Sequence, residues 1–164
     1  MAATVVLMKT IPDGYTAVTP WLISTDTAAE LEFIRVAFDG EEIARVVGED
    51  GRIGHAETRI GDAIVLLFDR PDGWPATPCF LRVYVADADE TFRRAQAAGA
   101  VAVTEPTELF WGDKVGRVRD PLGNLWWIQQ RVAELTPAEV EERAARPEFA
   151  AAMEYVTSAQ PFAS

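Results

Sequence analysis

The chain has 164 residues, 49% of them apolar and 25% charged, which is an ordinary globular composition, and it carries a formal net charge of −11. That acidity argues against binding a nucleic acid backbone, and no apolar run approaches the roughly 18 residues a membrane span needs. The single cysteine, Cys79, excludes an internal disulfide framework and a cysteine-based zinc site. The apolar opening residues 1–8 are short and lack a basic start and a cleavage site, so no signal peptide is read and cytoplasmic residence is expected.

In chain order, Ile11-Pro12-Asp13-Gly14 is a turn signal, and Val18 to Ser24 reads as the first strand. Thr25-Asp26-Thr27 opens a helix, with Thr27 and Glu30 spaced as a capping box. Leu31, Ile34 and Phe38 share one helical face, and Gly40 closes it. Glu42 to Gly48 is a strand, Glu49-Asp50-Gly51 a hairpin turn, and Ile53 to Ile60 and Ala63 to Asp69 are two further strands. Residues 70–78, with three prolines, are a linker.

The pattern then repeats. Phe80 to Val85 is a strand, Asp87 and Glu90 cap a helix ended by Gly99, and Val101 to Val103 is a short strand. A loop holding Phe110-Trp111-Gly112 leads to strands at Val115 to Arg119 and Leu125 to Arg131. Between these two, Asp120-Pro121-Leu122-Gly123-Asn124 is a tight turn. Past Val132, Thr136-Pro137 starts one helix and a second covers Pro147 to Val156, an alanine-rich add-on expected to pack at the edge or over a second subunit. The class is therefore α+β: two βαβββ modules, at about 16–70 and 78–132, within a domain over 14–132, followed by a helical extension over 133–164.

By the two-residue period of a strand, His55, Glu57 and Arg59 share one face, and Ala56, Thr58 and Ile60 the helix-covered one. On the next strand, Ile64, Leu66 and Phe68 are expected under the helix, with Val65 and Leu67 turned inward. That assignment requires a three-residue or bulged turn at Gly61-Asp62.

Paired βαβββ modules and the Asp120-Pro121-Leu122-Gly123-Asn124 turn resemble the vicinal oxygen chelate superfamily of glyoxalase I, bleomycin-resistance proteins and extradiol dioxygenases. The Thr19-Pro20-Trp21-Leu22, His55-Ala56-Glu57 and Phe110-Trp111-Gly112-Asp113-Lys114 stretches are similar to a glyoxalase-like branch of it. The resemblance implies that the modules form a curved mixed sheet with a concave pocket, and that the chain is a homodimer. It also implies four metal-ligand positions, which fall near Thr19, Val65, Phe80 and Trp127. None is a usable ligand, so no cofactor is expected, the alternative being one displaced divalent metal.

The candidate ligand-binding residues are Trp21, His55, Glu57, Arg59, Arg82, Tyr84, Trp111, Trp127 and Gln129, with Trp126 on the helix side. Aromatic walls suit flat ligands, and the arginines suit a carboxylate or phenolate. The net acidity suits a cationic ligand instead, but screening blunts distant charges, so the pocket residues weigh more. The expected function is metal-free binding of a small aromatic or drug-like molecule, as in antibiotic sequestration by bleomycin-resistance proteins. The alternative is a lyase, isomerase or dioxygenase-like enzyme using His55 and Glu57 as acid and base.

Overall fold

A computed structural model describes residues 8–159. The apolar opening segment weighed as a leader lies almost wholly outside them. Eight strands and four helices are described: β1 (Trp21–Ser24), α1 (Thr27–Phe38), β2 (Glu41–Val47), β3 (Ile53–Ile60), β4 (Ala63–Asp69), β5 (Phe80–Tyr84), α2 (Ala88–Ala97), β6 (Val101–Glu108), β7 (Asp113–Arg119), β8 (Leu125–Arg131), α3 (Pro137–Ala144) and α4 (Pro147–Ser158). Both βαβββ repeats are present, and α3 and α4 lie beyond them.

The single curved sheet is not. The strands form two separate four-stranded sheets, ordered β1-β4-β3-β2 and β5-β8-β7-β6. Within each, the outer pair (β1 with β4, β5 with β8) is parallel and the rest antiparallel. No backbone ladder joins β1 to β5, so no continuous sheet curls around a concave pocket. Pro20 directly precedes β1 and Pro78 stands two residues before β5, and proline offers no N–H to a ladder. The two edges touch instead through the Cys79 thiol, which donates to the Trp21 carbonyl at 3.0 Å.

The modules share one core. α1 packs on α2, and Phe33 and Phe38 of α1 lie against Trp126 of β8, which is 1% exposed. Asn124 of the turn before β8 donates to Glu30 of α1 at 3.0 Å. Arg94 of α2 reaches the Asp39 carboxylate, at 2.8 Å, and the Ala37 carbonyl. The helix-side residues Leu22, Ala56, Val65, Leu67, Val118 and Ile128 complete this core.

Strand bounds depart from expectation at β1, which starts at Trp21 rather than Val18, at β6, which runs to Glu108 rather than Val103, and at β7, which starts at Asp113 rather than Val115; local details differ at three further places. The α1 cap is Asp26, whose side chain accepts from Ala29 N–H, while Thr27 and Glu30 are buried inside the helix. Asp39, not Gly40, takes the left-handed conformation that ends α1, at φ 55°. The turn at Gly61-Asp62 is a plain two-residue one, since Ile60 pairs with Ala63. Glu57 therefore faces Leu66, and Ala56 faces Leu67. Val65 and Leu67 lie on the helix side, and Phe68 lies against Trp21 and Trp74, so the β4 faces are the reverse of the expectation. Gly61 at φ 58° supplies the conformation a tight hairpin demands.

The extension packs at an edge of the C-terminal sheet. α3 begins with a full capping box at Thr136 and Glu139. α4 packs against β6, the edge strand of the C-terminal sheet. Its Val156 is 2% exposed and joins Leu109, Val115, Trp111 and Trp127 in a second apolar cluster. Among the described residues no helix is long and apolar enough to cross a membrane.

Candidate functional site

The residues singled out from the sequence fall into three places. The first is the open face of the N-terminal sheet. Strand alternation on β3 puts His55 and Glu57 on the face away from α1, and β1 and β4 add Trp21 and Phe68 beside them. The Tyr15 hydroxyl donates to one Glu57 oxygen, and His55 Nε2 lies 2.8 Å from the other. Those two hydrogen bonds, Tyr15's first, hold the Glu57 carboxyl below its usual range, while the bond to Glu57 raises the Tyr15 phenol. Trp21 stands edge-on to His55 at 5.7 Å and to Phe68 at 5.4 Å. The result is a partly exposed Tyr–Glu–His relay inside an aromatic rim. Tyr15 is absent from the sequence-level candidates because it precedes the first strand and has no periodicity to place it.

The second place is a cleft of about 760 Å³ between the modules. The end of β3 and the Gly61-Asp62 turn form one wall, and β5 with the start of α2 forms the other. Arg59, Arg82 and Tyr84 all line it, together with Phe38 and Trp126. Arg94, also in the wall, is committed to Asp39. Neither Arg59 nor Arg82 is in an ion pair with a carboxylate among the described residues.

The third place is the face of the C-terminal sheet that α4 covers at its β6 side. In register across three strands stand Arg82, Trp127 and Arg117. Both guanidinium groups lie over the Trp127 ring, at 5.1 Å and 5.5 Å from its centre, and Phe80 stacks near it at 5.8 Å. Arg117 is 6% exposed, donates to Thr104 Oγ1 and to the Val156 carbonyl, and is held below its usual pKa by burial. Asp113, also buried, accepts from Trp111 Nε1 at 3.0 Å and from Gln129 Nε2. Sequence reasoning missed Arg117, although its parity with Val115 and Arg119 on a charged strand was the available signal.

The profile of the Glyoxalase/Bleomycin resistance protein/Dioxygenase superfamily matches residues 14–128. The chain belongs to that superfamily. An uncharacterised protein of Mycobacterium tuberculosis H37Rv, Rv0887c, is 36% identical over 136 residues, covering 76% of this chain and 80% of that protein. Its counterpart in Mycobacterium bovis, Mb0911c, has the same identity and is covered to 90%. Among solved structures, TioX from Micromonospora sp. ML1 is 28% identical, with a TM-score of 0.61 over 71% of this chain and 98% of that one. A glyoxalase/bleomycin resistance protein/dioxygenase from Nocardioides has a TM-score of 0.54 over 81% of this chain and 91% of that one; at 18% identity it speaks for the fold alone.

The metal that this superfamily implies does not fit the residues present. Trp127 faces Arg117 and Arg82, and the corresponding partner of Glu57 and Trp21 is Leu66, so Leu66 rather than Val65 holds Trp127's place in the first module. With Thr19 and Phe80 at the first-strand positions, none of the four carries an imidazole, thiolate or carboxylate. Among the described residues no group of three or more His, Cys, Asp or Glu side chains is arranged to hold a metal ion.

Proposed function

We propose that this superfamily member binds a small planar aromatic molecule carrying a carboxylate or phenolate, without a metal, in the cleft between its modules. The observation that carries the reading is the meeting of Arg59, Arg82 and Tyr84 in a cleft of about 760 Å³. That volume suits a drug-sized ligand. Two guanidinium groups without carboxylate partners, in a chain of net charge −11, suit an anion recognised by paired hydrogen bonds. Tyr84, exposed, supplies the aromatic wall, and the buried Phe38 and Trp126 close the cleft behind it. Sequestration of an antibiotic of this chemistry is the role such binding would serve.

The test is calorimetric titration with planar aromatic carboxylates and phenolates beside cationic and neutral analogues. Anions are expected to bind, and Arg59→Ala to weaken them by roughly 10- to 100-fold, the worth of one charged hydrogen-bonding group. Equal affinity for the cationic analogues, or an unchanged affinity in Arg59→Ala, would sink the reading. Mass spectrometry of the recovered ligand should return it unmodified.

A second reading rests on the Tyr15–Glu57–His55 relay, whose partly exposed imidazole and ionised carboxylate can take and return a proton. Under it, a recovered ligand is chemically altered, and His55→Ala abolishes the change while leaving affinity nearly intact. For either reading a homodimer is the proposed assembly, supported by the exposed aromatic side chains Trp21, Trp74, Phe80 and Tyr84. Light scattering should give about twice the 18.0 kDa chain mass.

A further inference from the structure

We infer that the C-terminal sheet carries a second anion site, centred on Arg117, Trp127 and Gln129 and adjoining the cleft at Arg82, and that α4 of the same chain occupies it as a built-in substitute ligand.

Three observations carry this. First, Arg117 is almost wholly buried, yet no carboxylate pairs with it among the described residues. A buried guanidinium ordinarily demands an anion. What meets it instead is the Val156 carbonyl, among the last of α4. The final carbonyls of a helix lack intrahelical partners and form the negative end of its dipole, so they stand where a ligand's oxygen would.

Second, the same face holds buried polar atoms that nothing satisfies. Trp127 Nε1 and Gln129 Oε1 have no hydrogen-bond partner among the described residues, and Gln129 is 2% exposed. One is a donor and the other an acceptor, two residues apart on β8 and thus on one face. A ligand with a carboxylate and a neighbouring donor group would answer both, which α4 does not.

Third, the cover is lightly held. Val156 is the only buried residue of α4. Among the described residues no hydrogen bond caps its C-terminal end, and the other polar tie of the helix to the sheet is the Tyr155 hydroxyl, which accepts from Glu105 N–H at 2.9 Å. Trp127, packed in the cluster with Val156, lies between the Arg82 and Arg117 guanidinium groups, and Phe80 at the open edge of the sheet stacks near its ring, the surface a planar aromatic carboxylate needs. The ligand class is therefore a planar aromatic carboxylate with a neighbouring donor group, which displaces the end of α4 when it binds.

The experiment is hydrogen–deuterium exchange of the full chain with 3-hydroxy-2-naphthoate, which carries the carboxylate and a neighbouring donor, and with 2-methylnaphthalene, which carries neither, as comparison. The naphthoate should speed exchange in residues 147–158 and slow it in β7 and β8; the hydrocarbon should do neither. Val156→Ala trims the anchor and leaves its carbonyl in place. By freeing the site more often, it should tighten naphthoate binding about tenfold by calorimetry. Arg117→Gln should remove the naphthoate effect on α4. Should that variant fail to fold, Arg117→Lys, which keeps the charge, should retain a weakened effect. Arg59→Ala should leave the α4 response intact, because Arg59 belongs to the cleft and not to this face.

The inference is overturned by naphthoate binding that leaves α4 exchange unchanged, by equal affinities of the parent and Val156→Ala, or by no binding to either. Loss of the α4 response in Arg59→Ala also overturns it and credits the cleft instead.

Discussion

Glu30 shows at the scale of one residue how the two modules depend on each other. It is fully buried on α1, and one of its oxygens accepts from Asn124 while the other has no partner among the described residues. Burial, reinforced by the Asp120 carboxylate, pushes its pKa up to about 9. The sign follows from proton counting. Between about pH 4.5 and 9 the folded chain keeps a proton here that the unfolded chain has lost, so unfolding releases it. Stability from this group is fully present below the unfolded pKa and declines as pH rises, by up to about 1.4 kcal/mol per unit, until the folded group ionises. Glu30→Gln keeps the shape and the Asn124 contact but cannot ionise. Urea melts from pH 5.5 to 8.5 should show a flatter pH profile for Glu30→Gln than for the parent, with the variant the more stable at pH 8.5. Parallel profiles would show that Glu30 does not set the pH dependence.

At the scale of elements, the loop after β6 decides where the extension leaves the sheet. The Gly112 carbonyl accepts from both Val132 and Ala133 N–H, tying the end of β8 to the loop that precedes β7. Gly112 has φ 90°, and a side chain there would put its Cβ 2.7 Å from the Ala133 carbonyl oxygen. Backbone, not a yielding side chain, is in the way. Gly112→Ala should therefore cost roughly 1–3 kcal/mol, read as a lower denaturant midpoint at unchanged slope. A cost under a few tenths would mean that the loop relaxes freely. The sequence shows this glycine but not its burden, because the crowding comes from a residue beyond the next two strands. Strand existence was far more legible: β3, β4 and β8 have the bounds their alternation and apolar runs imply. The facing of β4 was not, since every residue from Ile64 to Leu67 is apolar and buried and no alternation survives to choose a side. Register from the two-residue turn makes that choice, and it is a property of pairing rather than of the strand.

At the scale of the molecule, the candidate site was legible as residue types and illegible as an arrangement. Parity grouped His55 with Glu57 and set Trp127 opposite Trp126, and both hold. Whether two repeats join edge to edge or meet through their helices depends on contacts between distant segments, such as Phe38 on Trp126 and Arg94 on Asp39. Those contacts predict cooperative behaviour. One core cluster runs from Leu22 and Ile34 in the first module to Phe92 and Ile128 in the second, so neither module keeps its apolar surface covered without the other. Unfolding followed by tryptophan emission and by backbone circular dichroism should give coincident single transitions. Arg94→Ala, which cuts the ties to Asp39 and to the Ala37 carbonyl, should lower the midpoint of both probes equally. Two separated transitions, with the tryptophan-rich C-terminal sheet melting apart from the first module, would mean that the shared core is a contact between independent folding units.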